Sequence, residues 1–170
     1  EDGEVLCKGP NVMMGYYKKP DLTAEVIVDG WFHTGDIGVI TDGFLKITDR
    51  KKEMFKTSGG KYIAPQVIEN LLKESRVIEQ SMVIGDGKKF PAAFIIPSAD
   101  GIKQWCKRKN IAYSSHSEMC KNELVLDKLK KEIDVINDKL GTWERIKVFR
   151  VIDRPFTVEG GEMTPKLSLK

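Results

Sequence analysis

The sequence predicts an α+β fold in which a β-hairpin and a small sheet pack with helices, and three observations predict it. From about residue 54 onward, apolar runs of strand length alternate with segments of helical period. Apolar runs are joined in pairs by turn-forming stretches, Thr41-Asp42-Gly43 and Gly85-Asp86-Gly87-Lys88-Lys89, which is a hairpin signal. Leu126, Leu129, Ile133, Ile136 and Leu140 step by three and four residues, the pattern of an amphipathic helix.

Taken in order, Glu4–Lys8 reads as a short strand ended by Gly9-Pro10, because proline cannot donate to a ladder. Gly15 bends the chain before Tyr16 and Tyr17. Pro20–Ile27 has helical character, with Asp21 or Thr23 as its expected cap. Asp29-Gly30 is a turn, and Gly35-Asp36 is expected to be another, since glycine reaches backbone angles closed to other residues. The runs 37–40 and 44–48 form a hairpin with Val39, Ile40, Phe44 and Ile47 as its apolar contacts. Asp49–Glu53 is a run of charge, a poor core and a good linker.

Residues 54–57 and 61–63 are short strands around Ser58-Gly59-Gly60. Pro65 opens a helix, where its missing N–H costs nothing, and Val67, Ile68, Leu71 and Leu72 form that helix's apolar stripe. Residues 77–84 and 92–96 form an antiparallel pair. A helix over 100–108 carries Ile102, Trp105 and Cys106, and a polar loop follows through Ser117. The amphipathic helix is expected over 118–140, with Gly141 to terminate it. The run 146–152 is strand-like, and a loop leads to Thr164-Pro165-Lys166. Neither a repeat nor a low-complexity tract is present.

Composition narrows the function. The chain has 170 residues, 28 basic and 25 acidic, for a net charge of +3, which argues against nucleic acid as a partner. No apolar run approaches the about 18 residues that span a bilayer, and the acidic start EDGEVLCKG does not resemble a signal peptide. Three scattered cysteines lack metal or disulfide spacing, so no metal site is expected among these residues and a reducing cytoplasmic setting is. The lone His33 and His116 read as structural or exposed. On residues alone, a free-standing basic α+β module binding nucleotides or nucleic acid stays open.

Gly30-Trp31-Phe32-His33-Thr34-Gly35-Asp36, followed by Asp49-Arg50 and Lys52, resembles the adenylate-forming superfamily of acyl-CoA synthetases, aryl-CoA ligases, luciferases and peptide-synthetase adenylation domains. The opening Gly3-Glu4-Val5 to Met13, with Gly15-Tyr16-Tyr17, is similar to the segment those enzymes carry before Thr-Gly-Asp. The wording DRKKEMFKTSGGKYIAP is closest to the long-chain fatty acid branch. The resemblance implies a C-terminal fragment of a fatty acid CoA ligase. Residues 1–49 would end the large N-terminal domain, 50–170 would be the small mobile domain, and the joint would lie near 50–52. It implies ATP, Mg²⁺ and coenzyme A for the full-length enzyme, and none held tightly by this fragment. It also implies a fatty acid substrate, dependence on the missing N-terminal domain, peripheral membrane contact through that missing part, and inactivity of the fragment alone. An adenylation domain feeding a carrier protein differs only in its thiol acceptor and stays open.

Carried over residue by residue, the resemblance gives Asp36 and Arg50 to the nucleotide ribose and Lys52 to the hinge. It gives Ser58, Gly59, Gly60 and Lys61 to coenzyme A, with the choice between Gly59 and Gly60 open because this loop has one extra residue. Lys56 flanks the loop, and Glu69 fits a structural role. Thr164-Pro165-Lys166 resembles the family's Thr-Gly-Lys, which makes Lys166 the expected catalytic lysine; proline replaces glycine there, and Lys170 competes with it.

Overall fold

Two Asp-Gly turns shape the first part of the molecule. The computed structural model describes residues 3–163 and divides between Met54 and Phe55 into two compact units. In the first unit, β1 (Glu4–Cys7), α1 (Pro20–Val26), β2 (Ile27–Val28), β3 (Trp31–Thr41) and β4 (Phe44–Arg50) follow one another. The long strand β3 organises the sheet, pairing antiparallel with β1, β2 and β4. Asp29-Gly30 links β2 to β3 with φ of 51° and 77°, and Asp42-Gly43 links β3 to β4 with φ of 52° and 81°. Positive φ at both central residues is the geometry whose twist matches a hairpin, and it selects Asp-Gly.

Two expectations about this unit are corrected. No side chain caps α1: Lys19 holds the N-cap position and Pro20 opens the helix. Thr23 instead ties the entry loop, its hydroxyl accepting the Tyr16 N–H at 2.9 Å and donating to the Lys19 carbonyl at 2.9 Å. The hairpin residues expected to pack together are exposed, Ile40 at 77% and Phe44 at 78%, whereas Ile37 is the buried residue of β3. Alternation along a strand tells which residues share a face but not whether that face is covered.

The second unit contains β5 (Phe55–Lys56), β6 (Tyr62–Ile63), α2 (Pro65–Lys73), β7 (Ile78–Ile84), β8 (Ala92–Pro97), α3 (Ala99–Lys109), α4 (His116–Met119), α5 (Glu123–Asn137) and β9 (Val148–Val151). Its three-stranded sheet has the order β7-β8-β9, with β7–β8 antiparallel and β8–β9 parallel. The central strand is the apolar one, as its sequence Ala-Ala-Phe-Ile-Ile-Pro requires: Ala93, Ile95, Ile96 and Pro97 are all buried. Ile68 and Leu72 of α2, Ile102 of α3, and Val125, Leu129, Ile133 and Ile136 of α5 complete one core. Each such side chain contributes about 1.5–3 kcal/mol by leaving water.

The amphipathic helix begins later than 118. Asn122 caps α5, its Oδ1 accepting the N–H groups of Leu124 and Val125 at 3.0 and 3.4 Å. Glu118 belongs to the separate turn α4, capped by Ser115. The later start leaves Val125 fully buried and Leu126 half-buried. At the other end Asn137 is buried and exchanges two hydrogen bonds with the backbone of Ile146, at 2.8 and 3.0 Å, which fixes the approach to β9.

Candidate functional site

The Thr34-Gly35-Asp36 segment is a bulge within β3 rather than a turn. Glu4 pairs with Ile37 and Leu6 with His33, so β1 advances by two residues while β3 advances by four. Gly35 sits in the bulge at φ 73°, and a Cβ there would meet nothing within 4 Å. The backbone angle, not crowding, is therefore what calls for glycine. Bulges re-aim side chains, and this one sets Asp36 opposite Arg50 as cross-strand partners on β3 and β4. Arg50 Nη1 donates to Asp36 Oδ1 at 2.8 Å. Their side chains are 33% and 55% exposed for Asp36 and Arg50 respectively, so the pair presents a carboxylate and a guanidinium to solvent.

One residue missed by sequence reasoning holds this arrangement. The Glu4 side chain, only 8% exposed, accepts from Lys51 Nζ at 2.7 Å, from His33 Nδ1 at 3.1 Å and from the Gly35 N–H at 3.1 Å. Hydrogen bonding from Lys51 above all, then from His33 and Gly35, outweighs burial and holds the Glu4 carboxyl below its ordinary value. The Thr34 hydroxyl donates to the Val5 carbonyl at 2.8 Å and accepts the Asp36 N–H at 3.1 Å. The Lys51 N–H donates to the Gly35 carbonyl at 2.8 Å. The bulge is thus pinned on both sides, and His33 is structural. The available signal was an acidic residue inside an otherwise apolar strand, Glu4-Val5-Leu6-Cys7.

Arg50 ends β4, and Lys51–Glu53 form the turn after it, closed by N–H groups of Glu53 and Met54 donating to the Arg50 carbonyl at 2.9 and 3.2 Å. Lys52 is exposed in that turn. Asp49 is 2% exposed and accepts the Arg50 N–H at 2.6 Å, so the charge run is not uniformly solvated.

In the second unit, Ser58-Gly59-Gly60 is the exposed turn between β5 and β6. Gly60 has φ 79° and donates to the Thr57 carbonyl at 2.9 Å. Beside the turn, the Ser58 N–H donates to the Lys88 carbonyl and the Gly87 N–H to the Lys56 carbonyl, both at 2.9 Å. The β7–β8 loop therefore braces a turn that has little packing of its own. A Cβ on Gly59 would have only Thr57 Oγ1 near it, at 4.0 Å, and one on Gly60 only Lys56 Cε, at 3.8 Å. The space over these glycines is open to a ligand. Lys56 lies 5.2 Å from the Tyr62 ring and Lys61 5.3 Å from the Trp143 ring. Glu69 is buried in α2 and accepts the Val83 N–H at 2.8 Å, a structural tie to the sheet. Lys166 and Lys170 lie outside the described residues.

Residues 53–169 match the family model described as AMP-binding enzyme C-terminal domain. The chain belongs to that family. It is 39% identical, over 99% of its length, to Long-chain-fatty-acid–CoA ligase 5 of Mus musculus, and it spans 25% of that relative. It is 36% identical, over its whole length, to Long-chain-fatty-acid–CoA ligase FadD15 of Mycobacterium tuberculosis, and spans 29% of it. Among solved structures, the adenylation domain of a carboxylate reductase from Mycobacterium chelonae matches 98% of this chain with a TM-score of 0.73 at 24% identity, the chain covering 25% of that domain. O-succinylbenzoate coenzyme A synthetase from Bacillus subtilis, solved with AMP, matches 98% with a TM-score of 0.59 at 23% identity, and 28% of it is covered. These structural likenesses establish the fold, which is the α+β architecture the sequence predicts. The chain thus spans about a quarter of the curated relatives it matches. No group of three or more His, Cys, Asp and Glu among the described residues is placed to hold a metal ion.

Proposed function

We propose that this chain is the C-terminal part of an ATP-dependent acid–thiol ligase that converts long-chain fatty acids to acyl-CoA thioesters. The carboxylate attacks the α-phosphorus of ATP, forming the acyl-adenylate and expelling pyrophosphate. The coenzyme A sulfur then attacks the acyl carbon, the thiol proton is lost, and AMP leaves. ATP, Mg²⁺, coenzyme A and the fatty acid enter with the remainder of the enzyme, which supplies the phosphate loop and the acyl pocket.

The observation that carries this reading is the Asp36–Arg50 pair, set side by side by the bulge and the strand register. A carboxylate accepts two hydrogen bonds from vicinal hydroxyls, and a guanidinium offers a rigid fork of donors, which together suit a ribose. In this reading Asp36 takes the ribose diol and Arg50 turns one of its donors to the sugar while keeping its contact with Asp36. Lys52, exposed in the turn after β4, serves as the pivot between half-reactions. The open space over Gly59 and Gly60 lets the thin pantetheine arm run against main chain, with Ser58 and Lys61 at its sides. Lys166 is the first choice for the cation that meets carboxylate and α-phosphate as two anions approach, and Lys170 is the alternative. Support for the long-chain class comes from the 36–39% identity to relatives bearing that name.

The test uses the full-length enzyme. Exchange of pyrophosphate into ATP that depends on a long-chain fatty acid, followed by thioester formation on adding coenzyme A, is the expected result. Exchange driven only by short or aromatic acids would remove the substrate assignment, and transfer only to a carrier protein would remove the acceptor.

A further inference from the structure

Trp143 is an aromatic side chain without a role in the reading above. It follows α5 and is 48% exposed, although tryptophan is the side chain with most to gain from burial. Gly141 lies close beneath it: a Cβ there would come within 2.9 Å of Glu144 Oε2 and 3.2 Å of indole Cζ2, so a larger residue would make these side chains give way. The Gly141 N–H is tied to Glu144 Oε2 at 2.9 Å, which fixes the backbone beneath the ring and occupies the nearby carboxylate. Over the ring, at 5.3 Å, stands the exposed ammonium of Lys61, the residue directly after Gly60. A half-exposed indole thus has at its face the cation of the residue that directly follows the open Ser58-Gly59-Gly60 turn.

We infer that Trp143 and Lys61 form a handle for the phosphorylated purine of the thiol substrate, which makes a free nucleotide-bearing thiol, rather than a carrier-bound pantetheine, the preferred acceptor. The inference rests on the reading of Ser58–Lys61 as the thiol channel. A purine stacks on an indole face, and an ammonium displaced from that face stays within reach of the phosphates attached to the same nucleoside. Pantetheine attached to a carrier protein has no base to stack and would leave the indole unused. Trp143 is a positioning residue here, far in chemistry from the sulfur that reacts.

The test compares coenzyme A with pantetheine, which has the same thiol and no nucleotide, in the full-length enzyme. Trp143→Ala is expected to raise the KM for coenzyme A by about 5- to 150-fold, the range of one lost base-stacking contact. The KM for pantetheine is expected to stay within about 2-fold, and Trp143→Phe to restore most of the preference for coenzyme A. Equal losses with both thiols would mean that Trp143 only supports the fold and would overturn the inference, as would no loss with either. If the wild-type enzyme acylates a carrier protein and no free thiol, the acceptor assigned above falls as well. Fatty-acid-dependent pyrophosphate exchange would persist in that case and separate the two failures.

Discussion

Glu4→Gln removes one negative charge from the side chain that clamps the Thr34–Asp36 bulge, and its consequences follow from the geometry. The amide oxygen of glutamine can still accept the Gly35 N–H, but an NH₂ group replaces the oxygen that meets Lys51 at 2.7 Å and His33 at 3.1 Å. A donor then faces the Lys51 ammonium, while the His33 imidazole can change tautomer and accept from the amide. Hydrogen bonds to a charged group contribute about 1.5–3 kcal/mol each. Lys51 is 46% exposed and can turn to water, which discounts its share. We expect a net local loss of about 2 kcal/mol. Hydrogen exchange on the 170-residue chain reads this directly. The Gly35 amide should exchange roughly 30-fold faster in the variant, at about 1.4 kcal/mol per tenfold, while amides of α5 keep their rates. Unchanged protection at Gly35, within about 2-fold, would refute the clamp. The pH dependence gives a second check. The Glu4 carboxyl is held below its ordinary 4.5, so its stabilisation is complete above that pH and is lost as pH falls from 4.5 through the native value. Gly35 protection should decline over that window in the wild type and be flat in Glu4→Gln.

Asn137→Ala strips both buried hydrogen bonds to Ile146, leaving a backbone N–H and C=O without partners, and should destabilise the second unit by about 2–4 kcal/mol in urea unfolding followed by helix content. Gly101→Ala would place a Cβ 2.0 Å from the Arg76 carbonyl oxygen, so α3 must move, and a loss of about 1–3 kcal/mol is expected in the same measurement. In the full-length enzyme, Lys166→Ala should abolish fatty-acid-dependent pyrophosphate exchange while Lys170→Ala retains it; loss confined to the Lys170 variant would reassign the lysine.

How much could be read in advance varies by residue, and the reason is physical. The Asp29-Gly30 and Asp42-Gly43 turns were legible because few residues besides Asp, Asn and Gly accept positive φ at both central positions. The Leu129–Ile133–Ile136 stripe was legible because its period is that of a helix. The start of α5 was not, since Asn122 and Ser115 are both good caps and nothing local separates a turn from a helix four residues on. Asp36 and Arg50 could be singled out by resemblance, but their contact needed the register of β3 against β4. Glu4 was hidden for the same reason: its partners His33, Gly35 and Lys51 lie 29, 31 and 47 residues away. Gly35 was expected in a turn because a positive φ looks the same in a turn and in a bulge. The expected boundary after residue 49 and the observed division after Met54 differ because charge density marks a linker, whereas Asp49 and Arg50 are held in β4 by pairing with Ile37 and Asp36.

The nucleotide role proposed for the Asp36–Arg50 pair is tested most directly by ATP binding to the full-length enzyme with Asp36 replaced by alanine. Loss of a carboxylate that accepts from the ribose should weaken ATP binding by about 10- to 150-fold, equivalent to about 1.5–3 kcal/mol. An affinity equal to that of the wild type would contradict the account.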